Sequence, residues 1–237
     1  MKIKIIFDKE TKNKKLYTGW GVSFLIDSRI LFDTGEKGKW ILKNMKTLDV
    51  DIGKIESVVI SHDHWDHTGG LWDLLKEKEG LDVYACPHFS SGFKKKVVKL
   101  KGELREAETL TEIAENIFVT GEIAGEYKGQ FMPEQALIVK TENGLTVAAG
   151  CSHPSIIKVL EKIRNDFPGE DIYLVFGGFH LMDEDKRVIE FIMEEFRKMR
   201  VQKAGPTHCS GKEAEDLFKE EYGDDFIHIL VGEELEV

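Results

Sequence analysis

The sequence predicts a mixed α/β fold, α+β in its strand-then-helix order, built in two similar halves. Short apolar runs of strand length and amphipathic stretches at helical spacing fill most of the chain. Strands come first and helices after, twice over, which suits a four-layer sandwich better than a doubly wound sheet. The 237 residues are enough for one large domain with a filled core, so a single domain is expected over 1–237.

Residues 2–7 (Lys2-Ile3-Lys4-Ile5-Ile6-Phe7) alternate as a half-buried strand does. Residues 21–27 and 29–32 read as a hairpin around Asp27-Ser28, and the polar, lysine-rich residues 9–18 before them as a loop. Trp40, Ile41, Met45 and Leu48 recur at helical spacing. Residues 55–60 form a buried strand, Leu71, Trp72, Leu74 and Leu75 a helix, and residues 82–87 a short strand ended by Pro87. Residues 88–108 are charged and irregular, and read as an insertion over the active-site face. Strands resume at 117–120, 136–141 and 145–149, with Asn143-Gly144 as a turn signal. Helices over 155–167 and 185–200 flank a strand at 172–176. A helix at 211–222 and a strand at 226–231, holding His228, close the chain.

Composition narrows the function. A net charge of −10 repels phosphate backbones, which argues against nucleic acid as a partner. Lys94, Lys95, Lys96, Lys99 and Lys101 are a local exception, read as a solvated face. Three cysteines, Cys86, Cys151 and Cys209, form no Cys-x-x-Cys pair and no even disulfide framework. The N-terminus is strand-like and lacks the apolar core of a signal peptide. No apolar run approaches the roughly 20 residues of a membrane span. A cytoplasmic protein with no membrane partner is expected.

The chemistry concentrates in Ser61-His62-Asp63-His64-Trp65-Asp66-His67-Thr68-Gly69-Gly70, where three of the eight histidines fall. Buried imidazoles and a carboxylate at one strand end are costly unless a cation compensates them. Histidine and aspartate are ligands that Zn, Mn and Fe share. Alternation along an extended segment puts His62 and His64 on one face, so they grip one metal while Asp66 and His67 hold a second. His153, His180 and His208 each sit at a strand-to-loop junction, where functional groups gather.

The His-x-His-x-Asp-His stretch resembles the motif of the metallo-β-lactamase superfamily. The resemblance implies an αββα sandwich with a metal centre at the sheet edges. Ile30-Leu31-Phe32-Asp33-Thr34-Gly35 is similar to the family's turn whose Asp supports the metal loop from behind, which assigns Asp33 that role. Gly150-Cys151-Ser152-His153-Pro154, Gly177-Gly178-Phe179-His180-Leu181 and Pro206-Thr207-His208-Cys209-Ser210-Gly211 resemble the dihydropterin-ribofuranosylaminobenzene phosphate synthase branch. By that resemblance His153 completes the His62/His64 metal and His208 the Asp66/His67 metal. His180 is an additional ligand or an acid/base. Cys151 stands where many members place a bridging Asp, either as a thiolate ligand or as an inert buried thiol. Glu134 is expected to be solvated.

The function implied is that of a metal-dependent enzyme with two divalent ions (Zn, Mn or Fe). It hydrolyses, or transfers a pterinylmethyl-type group on, a small phosphorylated or pterin-like substrate. Asp63 or His180 would move the proton. Trp65 and Phe179 would stack a flat heterocycle, while Trp72 and Phe131 belong to the core. A phosphodiesterase or nuclease, and a non-catalytic metal-binding sensor, are the competing classes.

Overall fold

Lys2, Ile3, Lys4 and Ile5 alternate along the first strand, and of these only the isoleucines are fully buried. The computed structural model describes all 237 residues and divides them into two compact units, Met1–Glu108 with Leu230–Val237, and Thr109–Ile229.

The first unit begins with β1 (Lys2–Phe7), β2 (Ser23–Ile26) and β3 (Ile30–Phe32), paired antiparallel in sequence. Asp27 and Ser28 both take positive φ, and the Arg29 N–H donates to the Ile26 carbonyl at 3.0 Å, closing the expected hairpin. Then come α1 (Gly38–Thr47), β4 (Ser57–Val59), the short α2 (Trp65–Thr68), α3 (Leu71–Glu77), β5 (Asp82–Ala85), α4 (Ser91–Lys99) and β6 (Glu103–Glu106). Strands β3, β4, β5 and β6 run parallel. The core packs Ile41 and Met45 of α1 and Leu71, Leu74 and Leu75 of α3 with Leu31, Val58 and Val83 of the sheet.

The second unit holds β7 (Thr111–Ala114), β8 (Ile117–Val119), the small hairpin β9 (Glu126–Tyr127) and β10 (Gln130–Phe131), then β11 (Leu137–Thr141) and β12 (Gly144–Ala149). Helix α5 (Ile156–Asp166), β13 (Ile172–Gly178), α6 (Lys186–Lys198), β14 (Lys203–Thr207) and α7 (Lys212–Tyr222) follow. Its main sheet, ordered β14-β13-β12-β11-β8-β7, is parallel among β12, β13 and β14 and antiparallel elsewhere. The Asp185 carboxylate accepts the N–H groups of Arg187 and Val188 and starts α6, which buries Ile189, Ile192, Met193 and Phe196. These residues join Val159, Leu160 and Ile163 of α5 in the core. The chain then returns to the first sheet, where β15 (Glu234–Glu236) pairs antiparallel with β1.

The mixed sheets agree with the predicted fold class, but several elements differ. Residues 88–108, expected to be irregular, contain α4 and the edge strand β6. Lysines hid the helix, since only Phe93 and Val97 of α4 are buried. Of the lysines read as a solvated face, Lys94 pairs with Glu106, Lys96 lies 3.9 Å over the Trp72 ring, and Lys101, beyond the helix end, reaches Glu79 at 2.7 Å. Residues 226–231, expected as the last strand, make one isolated bridge from Phe226 to Ala204, and the strand lies at β15 instead. The unpredicted β14 contains Gly205-Pro206, tolerated because β14 is an edge. Phe131 is 56% exposed on β10, not core. No helix is long and apolar enough to cross a membrane.

Candidate metal centre

In the first unit the site grows from two parallel strand ends. Phe32 of β3 lies opposite Val59 of β4, so the segments after both strands leave the sheet side by side, at the carboxyl ends where open parallel sheets place their sites. Asp33 turns with φ +53°, and its N–H donates to the Val59 carbonyl at 2.8 Å. Its Oδ1 accepts the Ser61 N–H at 2.7 Å, and its Oδ2 accepts the Ser61 hydroxyl at 2.7 Å. The same Oδ2 lies 2.6 Å from His67 Nδ1. Asp33, Ser61 and His67 are fully buried. Burial alone lowers the pKa of His67, but the Asp33 carboxylate, with Asp66 behind it, outweighs burial and raises the imidazole well above its usual value.

A carboxylate at Nδ1 requires that nitrogen to carry a proton and leaves Nε2 as the ligand atom. Nε2 lies 3.4 Å from Asp66 Oδ2. His62 Nε2 and His64 Nδ1 converge to 3.0 Å, and Ser61 Oγ holds the other His62 nitrogen at 2.9 Å. The His64 carbonyl accepts the N–H groups of His67 and Thr68, so the ligand stretch bends into α2. Thr34 locks the far end, donating its hydroxyl to the His67 carbonyl at 2.7 Å. Gly21, with φ +96°, has no room for a side chain, since a Cβ there would sit 1.8 Å from the Asp66 carbonyl oxygen.

The second unit repeats the device with different residues. Ala149 of β12 lies opposite Gly177 of β13, and Gly178 opposite Thr207 of β14, so three loops emerge together. These loops carry Cys151 and His153, then His180, then His208 and Cys209. Glu134 is 2% exposed, a correction of its expected solvated place. Its Oε1 accepts the N–H groups of Cys151 and Ser152, and its Oε2 that of His153, each at 2.8 Å. The sequence signal was faint, an acid beside Pro133 before an apolar strand. The Ser152 hydroxyl donates to the Gly178 carbonyl at 2.8 Å, and the Leu181 and Met182 N–H groups donate to the Cys209 carbonyl. Ser152, Ser155, His180 and His208 all take positive φ between 52° and 85°, strain of the kind that collects at functional sites.

Ligand-type atoms of Cys151, His153 and His180 lie within 4.8 Å of one another, as do those of Cys151, His208 and Cys209. Cys209 was not among the expected site residues. Burial raises its pKa, but hydrogen bonding with Cys151 and the His208 and His180 imidazoles together hold the thiol well below its usual value. Hydrogen bonding to Cys209, against the opposing effect of burial, raises His180. The Tyr127 ring lies 5.0 Å from that of His153, which lies 4.6 Å from that of His180.

Among the other expected residues, Asp63 Oδ2 accepts the Ser90 N–H at 3.1 Å, and Trp65 is 60% exposed. Phe179, expected to stack substrate, is instead 2% exposed and packs on Phe196 and Phe218. Its ring belongs to the core cluster and also lines a cavity beside His153 and His180.

Imidazoles, a carboxylate and thiols, each set oriented by a buried carboxylate, are a donor set that fits a divalent metal ion. Gly178 shows how tightly the second set is built. A Cβ there would meet the Gly150 carbonyl oxygen at 2.2 Å and Cys209 Sγ at 2.8 Å. Gly178→Ala should destabilise the protein by about 1–3 kcal/mol, read by urea denaturation, as overpacking does. An unchanged midpoint would contradict the close approach.

Comparison with known proteins identifies the family. The sequence model of the metallo-β-lactamase superfamily matches residues 21–151. The 7,8-dihydropterin-6-methyl-4-(β-D-ribofuranosyl)-aminobenzene-5'-phosphate synthase of Methanocaldococcus jannaschii is 31% identical, over 93% of this chain and 90% of that protein. A solved structure described as a metal-dependent hydrolase of the β-lactamase superfamily is 31% identical, with a TM-score of 0.84 over 100% of this chain and 99% of the other. The short form of human tRNase Z, at 13% identity and a TM-score of 0.64 over 100% of this chain and 99% of its own, shares the fold. By the matched motif, the near full-length relative and the common fold, this chain belongs to the metallo-β-lactamase superfamily.

Proposed function

We propose that the chain is a metal-dependent enzyme that transfers a pterinylmethyl-type group between small substrates, one of them phosphorylated. The observation that carries the metal reading is the pair of buried carboxylates, Asp33 and Glu134, each orienting a loop of ligand-type side chains. The pterin-linked chemistry is supported by the 31% identical synthase, aligned over 93% of the chain. In this reading His62, His64 and His153 hold one divalent ion, and Asp66, His67 and His208 hold a second, within a single functional domain. Cys151 supplies a soft donor where the family more often places a carboxylate. Bound divalent ions would neutralise a phosphoryl or diphosphoryl group and acidify water.

The chain's own residues do the rest. Asp33 fixes the His67 tautomer, and Glu134 sets where His153 stands. Asp63 has one carboxylate oxygen committed to Ser90, which favours His180 as the group that takes the proton of an attacking amine as the bond from the pterinylmethyl carbon to its diphosphate breaks. Trp65, exposed beside the ligands, offers a face to a flat substrate. Hydrolysis is the second reading, favoured by the similarity to the structure described as a metal-dependent hydrolase.

His64→Ala tests the proposal. The backbone contacts of residue 64 survive in alanine, so circular dichroism should be unchanged. Metal content should fall from about two equivalents per chain, and turnover by at least about 100-fold, since ligand loss removes the metal's contribution. The assay offers a dihydropterin methyl diphosphate with a ribofuranosylaminobenzene phosphate, and separately water alone. Wild-type turnover in the first reaction supports transfer, turnover only in the second supports hydrolysis, and unchanged turnover in the variant sinks the metal mechanism.

A further inference from the structure

A cavity of about 430 Å³ opens within the second unit beside His153 and His180. That volume is in the range of small-molecule sites. One wall is apolar, from Ile156 of α5 and Val188, Phe191 and Ile192 of α6. Two carboxylates, Glu126 on β9 and Glu184 just before α6, line it together with the His153 and His180 imidazoles, and no lysine or arginine does. Phe191 is 54% exposed on a helix whose other large apolar residues face the core. Two of the loops forming the cavity carry Ser152, Ser155 and His180 at positive φ.

The charge decides what fits. Near Glu126 and Glu184 a phosphate is repelled, with no lysine or arginine to offset them; the imidazole end, at His153, is where a divalent ion would hold one. A flat heterocycle bearing adjacent N–H donors is favoured, since a carboxylate accepts two parallel N–H groups with both geometric specificity and charge assistance. The apolar wall covers the ring faces, and Phe191 gains a stacking partner that accounts for its exposure.

We propose that this cavity binds the aminopyrimidinone edge of the substrate's heterocycle. Glu126 and Glu184 read its N–H groups and Phe191 covers its face, while the phosphorylated end lies elsewhere. The assignment rests on the pterin-linked reading above and adds the residues that select the heterocycle.

The test uses full-length, metal-loaded protein and two fluorescent probes: pterin, and lumazine, in which an oxygen replaces pterin's exocyclic amine. Wild-type protein should bind pterin about tenfold or more tightly than lumazine, the scale of one charged hydrogen bond. Glu126→Gln/Glu184→Gln should abolish that preference, and both positions are exposed, so folding should survive. Phe191→Ala should weaken both probes alike. Equal binding of the probes by wild-type protein, or a preference untouched in the double variant, overturns the assignment. Metal content and turnover are measured on the same preparations. If turnover persists without a pterin preference, the cavity assignment fails alone. If the preference persists in a protein that binds no metal, the enzyme reading fails and the cavity assignment stands.

Discussion

Asp33→Asn should leave a folded protein that has lost much of its affinity for one metal ion. Asparagine keeps the shape of aspartate and tolerates the positive φ of residue 33. Its carbonyl oxygen can still accept the Ser61 N–H that Asp33 Oδ1 accepts at 2.7 Å. Its amide then faces His67 Nδ1 as a donor, where the carboxylate was an acceptor at 2.6 Å. The neutral imidazole must move its proton to Nε2, the nitrogen nearest Asp66. A protonated Nε2 cannot ligate. Loss of such a supporting partner typically costs about 10–100-fold in metal affinity, so chelator competition should show one of two equivalents weakened by that factor. Asp33→Ala goes further. It strands the buried Ser61 N–H and removes the partner of a buried imidazole, which costs about 3–5 kcal/mol in urea denaturation. Unaltered metal affinity in Asp33→Asn would remove Asp33 from the metal site's support.

Glu134→Gln should produce the complementary result. Glu134 accepts three backbone N–H groups, from Cys151, Ser152 and His153. Glutamine has one acceptor oxygen in place of two, so an amide N–H₂ must face either the His153 N–H or the Cys151 and Ser152 pair. Each buried N–H left without an acceptor costs about 1–3 kcal/mol. The loss should appear as a lower urea midpoint and as weakened binding at the ion assigned to His62, His64 and His153. The other equivalent should titrate as in wild-type protein. Glu134→Ala strands all three N–H groups and should cost about 3–5 kcal/mol, within reach of the whole stability of a marginal domain. If Glu134→Gln and Asp33→Asn weaken the same equivalent, the division of ligands into two sets is wrong.

The contrast between these carboxylates marks where sequence reading stops. Asp33 was legible because it stands in an Asp-Thr-Gly turn directly after an apolar strand, so local chain geometry announces its place. Likewise, His62, His64, Asp66 and His67 lie within six consecutive positions, and no other packing is needed to bring them together. Strand-then-helix order in both halves was likewise visible, because amphipathic periodicity is a local property and survives without knowledge of partners. Lysines obscured α4 and a Gly-Pro pair obscured β14, since charge and breaker residues are read as loop when the edge position that tolerates them is unknown.

Glu134 belongs to the other kind of fact. Apart from Pro133 beside it and the apolar strand after it, little separates it from the many solvated glutamates of this acidic chain. Only the pairing of β12 with β13 and β11 brings the Cys151–His153 backbone over its carboxylate, 17 to 19 residues away in sequence. Cys209 likewise meets Cys151 across 58 residues, because β14 is parallel to β13 and β13 to β12. Phe179, adjacent to a ligand-type histidine, is turned into the core by the same strand register. The sequence by itself determined the residue types able to bind metal and the superfamily they mark. Tertiary structure alone decided which carboxylates orient them and which aromatics remain open to a ligand, because those choices depend on contacts between strands distant in the chain.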